Sequence, residues 1–389
     1  MNGQKILQGK IQNKKADLLV IAMMTVIVIM TLVMNRWFPV EYIMYTSESS
    51  TYERGVVTRI LAEELSQEEG SNRYRGVQTL KVAMKSGSLK GQEIEVKNEL
   101  SATHNIATGV GQRLIIKVDA PEGLEPYYTV FNYDRTVGIS MILVMFAVFM
   151  ILVGGRKGVK SMIGLCFALF LIIDFLLPAV YHGWSPIGMG IISAFLIAVF
   201  SMLLLNGFSE KTFTAITATM AGVILAAVFY YIFSGILHLS GFNLEEAEEL
   251  IIVQGATGLK VGQTLFTGIL IASLGAVMDM TMSVASALFE MKEIHPEMYM
   301  TEVFRSGISI GQDMIGTMCE TLILAFAGSS ITALLVMIAY GAQFNQILSS
   351  DYVAIELIHS LTGSMAVILS VPITAGLSAF FTCNRQHCK

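Results

Sequence analysis

The chain has 389 residues, 54% hydrophobic and only 14% charged, against about 25% charged in an average soluble domain, which excludes a protein that is water-soluble along its whole length. Its 30 acidic and 25 basic side chains leave a net charge of -5, so no basic excess points to a nucleic-acid partner. Of four cysteines, Cys166 and Cys319 lie in apolar runs and Cys383 and Cys388 in the C-terminal tail, which implies no disulfide framework; the tail pair, with His387 between, reads as solvated tail or as a lone metal position.

Residues 1–15 carry Lys5, Lys10, Lys14 and Lys15 and precede an apolar run over 16–34, long enough to cross a bilayer. Asn35-Arg36-Trp37-Phe38-Pro39 follows in place of a small-residue cleavage site. Residues 1–44 are therefore predicted to be a cytoplasmic N-terminus and a retained signal anchor, with Arg36 a minor exception to the positive-inside bias.

Over residues 45–135 the composition changes to that of a small β-domain. Runs at 55–60, 77–84, 93–96 and 114–118 are β-rich, and Leu80, Val82 and Met84 alternate with polar neighbours, as do Ile94 and Val96. Turn signals separate them at Lys85-Ser86-Gly87-Ser88, Lys90-Gly91 and Gly109-Val110-Gly111. This punctuation predicts a small closed barrel of the OB type, placed outside the cytoplasm by the single span before it. Aromatic stacking positions are sparse, so a structural or partner-docking role fits better than a nucleic-acid reader.

Residues 136–389 are predicted to hold seven more spans, near 137–154, 161–181, 186–206, 213–238, 262–289, 306–340 and 354–381. Arg156, Lys157, Lys160, Lys211, Lys292, Arg305 and Arg385 fall on the cytoplasmic side, which puts the C-terminus there too. The outer loop with Glu245, Glu246, Glu248 and Glu249 reads either as an interfacial helix over 244–252 or as a solvated loop. The 35 residues of 306–340 exceed a single crossing, and Gly307, Gly311 and Gly316 open them, so a broken or re-entrant helix is an expectation; close helix packing is the alternative use of such glycines.

Acids inside these spans are the strongest functional signal, because an ionisable group in hydrocarbon costs upward of about 2.5 kcal/mol and demands a partner, water or an ion. On a helix, positions i, i+4 and i+7 share a face. Asp279, Ser283 and Ser286 follow that spacing, as do Asp313, Thr317 and Glu320, with Thr321 beside them; Glu356, Ser360, Gly363 and Ser364 form a third stripe. A rise of about 1.5 Å per residue puts Asp279 and Asp313 at comparable depth and Glu320 near the midplane, with Glu356 and Asp174 toward the outer side. These acids are expected to line a cation or proton path. Met278, Met280 and Met282 scatter around a helix and read as packing rather than a soft-metal path. His182, His238 and His359 read as interfacial, His359 sharing its region with Glu356. No nucleotide-binding Gly-rich loop, H-E-x-x-H or G-x-S-x-G is present, so neither enzyme activity nor a cofactor is expected.

Gly275-Ala276-Val277-Met278-Asp279, Met282-Ser283-Val284-Ala285-Ser286 and the stretch from Ser306-Gly307 through Gly311-x-Asp313-Met314-Ile315-Gly316-Thr317-Met318 resemble the YibE/F family of bacterial integral membrane proteins. Thr321-Leu322-Ile323-Leu324-Ala325, Glu356 and Pro372-Ile373-Thr374-Ala375 extend the resemblance, and Glu320 departs from it, asparagine being usual there. The resemblance implies a multispan bacterial membrane protein, at most a transporter, and supplies no substrate and no established site.

The sequence therefore predicts an α-helical membrane protein of about eight spans with an extracytoplasmic OB-like barrel between the first and second. The expected function is transport of an ion or small solute. Asp279 and Asp313 would couple it or bind a cation, Ser283, Ser286 and Thr317 would coordinate, Glu320 would add an accessory charge, and Glu356 would take part in ion binding or coupling. The expected partners are the lipid bilayer, a small cation or proton, and an extracytoplasmic partner on residues 45–135. The alternative is a non-transporting envelope scaffold or sensor whose barrel binds that partner.

Overall fold

The computed structural model describes residues 2–40, 50–67, 70–121, 123, 125–240, 242 and 247–383, with side chains from residue 15 onward apart from Glu248. The expectations on Glu245, Glu246, Arg385, His387 and Cys388 lie outside the described residues. The chain divides into two compact units, one over residues 42–149 and the other over 1–41 with 150–389.

The described residues of the first unit form five strands: β1 (Ser50–Gln67), β2 (Tyr74–Met84), β3 (Glu93–Leu100), β4 (Arg113–Asp119) and β5 (Tyr127–Tyr133). They close into a barrel in the order β1-β2-β3-β5-β4, so each of these five strands is paired on both sides. Neighbours are antiparallel except β3 with β5. Alternation sends Leu80, Val82, Met84, Val96, Leu114, Ile116, Val118 and Val130 into the interior. β1 runs for 18 residues because it pairs with β4 through residues 50–56 and with β2 through 55–67, bending at two register shifts. Gly55 stands at the handover, where an added Cβ would lie 2.4 Å from Val82 Cγ1. The four expected runs are all strands, and β5 is a fifth. Its pattern hid it, since only Val130 of its seven residues is buried.

The second unit is helical: α1 (Asn2–Trp37), α2 (Thr136–Phe170), a π-helical turn (Leu171–Leu176), α3 (Leu177–Tyr181), α4 (Pro186–Asn206), α5 (Glu210–Ile236), α6 (Ala247–Thr257), α7 (Val261–Ile294), α8 (Met300–Ala339), α9 (Phe344–Leu348) and α10 (Asp351–Cys383), with α2 starting in the first unit. Among the described residues, seven helices are long and apolar enough to cross a membrane. The sequence led to eight spans. The difference is that 137–154 and 161–181 belong to one helical stretch, Thr136–Tyr181, of 46 residues. At about 1.5 Å per residue it is more than twice as long as a bilayer core is thick, and it is interrupted at Gly155, whose φ of 54° and ψ of -130° are not helical.

α1 is held to this unit by Lys160 Nζ on Asp17 Oδ1 at 2.6 Å and by Asn35 Nδ2, which donates to the Asp174 carbonyl at 2.6 Å. The carbonyl that Asn35 uses belongs to the π-helical turn, where the i→i−4 ladder is already interrupted ahead of Pro178. α10 packs against α5, α7 and α8 and is the centre of the bundle. The expected break in α8 does not occur: it is one helix of 40 residues. Its glycines serve contact. An added Cβ at Gly307 would lie 2.7 Å from Ala375 Cβ, and one at Gly311 would lie 2.1 Å from Val371 Cγ1, so hydrogen is all that fits against α10.

Candidate functional site

Three helices carry the predicted stripes, and the structure treats them differently. On α7, Asp279 and Ser283 are exposed and Ser286 is half-buried; they continue a run of exposed small residues, Gly268, Ala272 and Gly275. The opposite face of α7, with Val277, Met280, Val284 and Leu288, fills the core. On α8, Asp313, Thr317, Glu320 and Thr321 are exposed, because Gly307 and Gly311 turn the other side toward α10. None of Asp279, Asp313 and Glu320 has a hydrogen bond or ion pair to any described residue. The neighbouring hydroxyls bond to their own helix, Thr317 Oγ1 to the Met314 carbonyl at 3.0 Å and Thr321 Oγ1 to the Thr317 carbonyl at 2.7 Å. Three carboxyls on apolar helices therefore face outward from the bundle.

The α10 stripe is turned inward. Ser360, Gly363 and Ser364 are buried, with Gly363 closest to Ser273 of α7 and Leu322 of α8. One turn toward the start of α10, Glu356 enters a cavity of about 160 Å³ between α8 and α10, which Phe326, Ser330, Leu334, Tyr352, Leu357 and Ser360 help to line. Its Oε2 is buried and has no hydrogen-bond partner among the described residues. The His359 ring lies 5.4 Å from that of Phe326, and its buried Nε2 also has no partner among the described residues.

Farther along α10 come more buried hydroxyls, Ser370, Thr374 and Ser378, and α5 and α7 answer with Thr214, Thr219, Ser273 and Thr281. Thr219 Oγ1 and Thr281 Oγ1 meet at 2.7 Å and tie α5 to α7. Ser370 and Thr374 bond back to carbonyls of their own helix, whereas Thr214, Thr362 and Ser378 have no partner among the described residues. At the far end a cavity of about 580 Å³ opens between the start of α5 and the ends of α7 and α10, with Ser209, Glu210, Lys211, Glu290, Glu293 and Thr382 on its wall. Lys292, also on that wall, is nearly buried, and its Nζ donates to the Pro296 carbonyl at 2.7 Å and to that of Met298 at 2.5 Å. α10 thus has a cavity toward each end, and Ser360 and Thr382 are separated by roughly 33 Å of helix.

The description "YibE/F-like protein" matches residues 142–384, well over half of the chain. The chain belongs to the YibE/F-like family. No curated protein and no solved structure matches it. The YibE/F-like region takes in all of α4 to α10, so both cavities and all three stripes lie inside it, while the barrel lies before it. Within that region, sequence reasoning found Glu356, Ser360, Gly363 and Ser364 but missed Ser330 and Phe326 opposite them, and Thr219, Thr281, Ser370, Thr374 and Ser378 deeper in. The signal was present in α10, whose hydroxyls recur at 360, 364, 370, 374 and 378, four to six residues apart.

Proposed function

We propose that the chain is a secondary transporter of the bacterial cytoplasmic membrane, moving a small cation or solute coupled to protons or to another cation. The observation that carries this reading is the pair of cavities at the two ends of α10, with Glu356 in one and buried hydroxyls along the bundle between them. A bundle selected for packing alone has no use for buried hydroxyls without partners, since each costs about 1–3 kcal/mol against an apolar isostere. A path for an ion needs such oxygens.

In this reading Glu356 binds the cation, and Asp279 and Asp313 are the coupling acids, which must reach water to exchange a proton. Ser283, Ser286 and Thr317 supply oxygens beside them, and Glu320 adds charge. The Gly155 break supports counting 137–154 and 161–181 as separate spans, which makes eight crossings, leaves both termini in the cytoplasm and puts the barrel outside. The reading involves no enzymatic step and no cofactor.

A scaffold or sensor reading is favoured by one observation on the barrel, the exposed rings of Tyr52 and Phe131 packed edge to face at 4.8 Å, a surface of the kind that partners use. Removing residues 50–133 separates the two readings. A transporter keeps gradient-driven flux in proteoliposomes without its barrel. A scaffold has no flux in either form and loses whatever envelope component the barrel holds.

A further inference from the structure

The cavity beside Glu356 has a character of its own. Apart from the carboxyl and the hydroxyls of Ser330, Ser360 and Tyr352, its wall is apolar and aromatic. Ser330 is hydrogen-bonded to the Glu356 carboxyl, but Glu356 Oε2 has no donor among the described residues, and an ionised carboxylate oxygen left so inside a protein is costly. A divalent metal is a poor answer, because Ca²⁺ takes six to eight oxygens and Mg²⁺ a near-ideal octahedron. No group of three metal-binding side chains occurs among the described residues. The wall instead suits a cation that carries its own apolar body. A volume of about 160 Å³ is close to the ~150 Å³ that holds a benzene ring in a dry protein cavity. Phe326 and Tyr352 bring aromatic rings to the wall, and an ammonium is attracted to the face of such a ring.

We propose that the cavity between α8 and α10 is a binding site for a small lipophilic ammonium ion, an amine with a ring or short alkyl body whose N–H groups donate to Glu356 and whose body lies against Phe326, Leu334 and Leu357. This rests on the reading of Glu356 as a cation site and names the class of its occupant. The α8 wall belongs to a stretch with exposed Ile323, Leu324, Ile331 and Leu335, so entry from the lipid side suits a ligand that partitions into membranes.

The test is binding of 4-fluorobenzylamine, protonated at neutral pH, to the full chain in lipid nanodiscs by fluorine NMR titration. 4-Fluorobenzyl alcohol serves as the uncharged control of equal shape. The expected result is saturable binding of the amine and at least tenfold weaker binding of the alcohol. Glu356→Gln should weaken the amine by tenfold or more, the scale of a lost charge-assisted hydrogen bond. Ala327→Trp leaves Glu356 in the chain but puts an indole into the cavity and should also abolish binding, which keeps the test decisive if Glu356→Gln does not fold. Equal affinity for amine and alcohol, or binding unchanged in a folded Glu356→Gln or Ala327→Trp variant, overturns the proposal. Cation flux with no amine binding defeats this inference and leaves the transport reading intact. Amine binding without any flux keeps the site and defeats transport.

Discussion

Gly311 of α8 lies so close to Val371 of α10 that an added Cβ would stand 2.1 Å and 2.8 Å from the two Val371 methyl carbons. That contact fixes which way α8 is rotated, and with it the outward direction of Asp313 two residues later. Gly311→Val should cost about 1–3 kcal/mol by overpacking, read as a lower unfolding temperature in detergent. Gly316→Ala, where nothing lies within 4 Å, should be neutral or stabilising by up to about 1 kcal/mol. A Gly316→Ala variant less stable than Gly311→Val would show that α8 faces the other way.

The hydroxyl pair Thr219 and Thr281, 2.7 Å apart in the core, should behave as one unit. Replacing either by Val removes a partner from the other, while replacing both removes the need. A double-mutant cycle in detergent should give a coupling of about 0.6 kcal/mol, up to ~1.7. Additive single substitutions would mean that the two hydroxyls do not meet.

In the barrel, Gln78 Oε1 accepts from Asn98 Nδ2 at 3.0 Å and from Thr108 N at 3.0 Å, and Gln78 Nε2 donates to Glu63 Oε2 at 2.9 Å. All of this sits on a side chain that is 1% exposed. Gln78→Leu keeps the volume but strands the Thr108 N–H and one N–H of Asn98, whose Nδ2 keeps its bond to the Ile106 carbonyl, and should cost about 1–3 kcal/mol. Proteolysis within residues 50–133, at fixed protease, should quicken accordingly; a cleavage rate equal to wild type would contradict the network.

Asp134 receives hydrogen bonds from the Thr136 hydroxyl and backbone N–H at the start of α2, with Arg54 and Arg113 nearby, and these hold its carboxyl below the usual range. A depressed folded-state value gives stability that is fully present above the unfolded value and disappears as pH falls through the folded one. Asp134→Asn should therefore lower the barrel's unfolding temperature by a constant amount from neutral pH down to about pH 5, and the gap should close below about pH 4. A gap independent of pH would assign the loss to packing alone.

Much of this was legible in the residues. Period-two alternation in β2 and β4 marks their buried faces, and the spacing of Glu356, Ser360, Gly363 and Ser364 marks the α10 face that is buried. Spacing also groups Asp313 with Thr317 and Glu320. It could not say whether that face or the one with Gly307 and Gly311 meets the bundle, because small and polar residues both read as contact in a membrane. Packing decided, with the glycines inward and the acids outward. The continuity of α8 was hidden for the same reason, since glycines that permit a break also permit close approach. β5 escaped notice because its aromatic residues are spread over both faces of the barrel wall.

The central claim is that the acids on these helices carry ion movement across a membrane. The direct measurement is cation-driven proton flux into proteoliposomes, comparing wild type, Asp279→Asn, Asp313→Asn and the Gly316→Ala control, each checked for folding. The account predicts saturable flux in wild type and Gly316→Ala, and its loss in both Asn variants. Flux retained in both Asn variants, or none from folded wild type under any gradient, would contradict it.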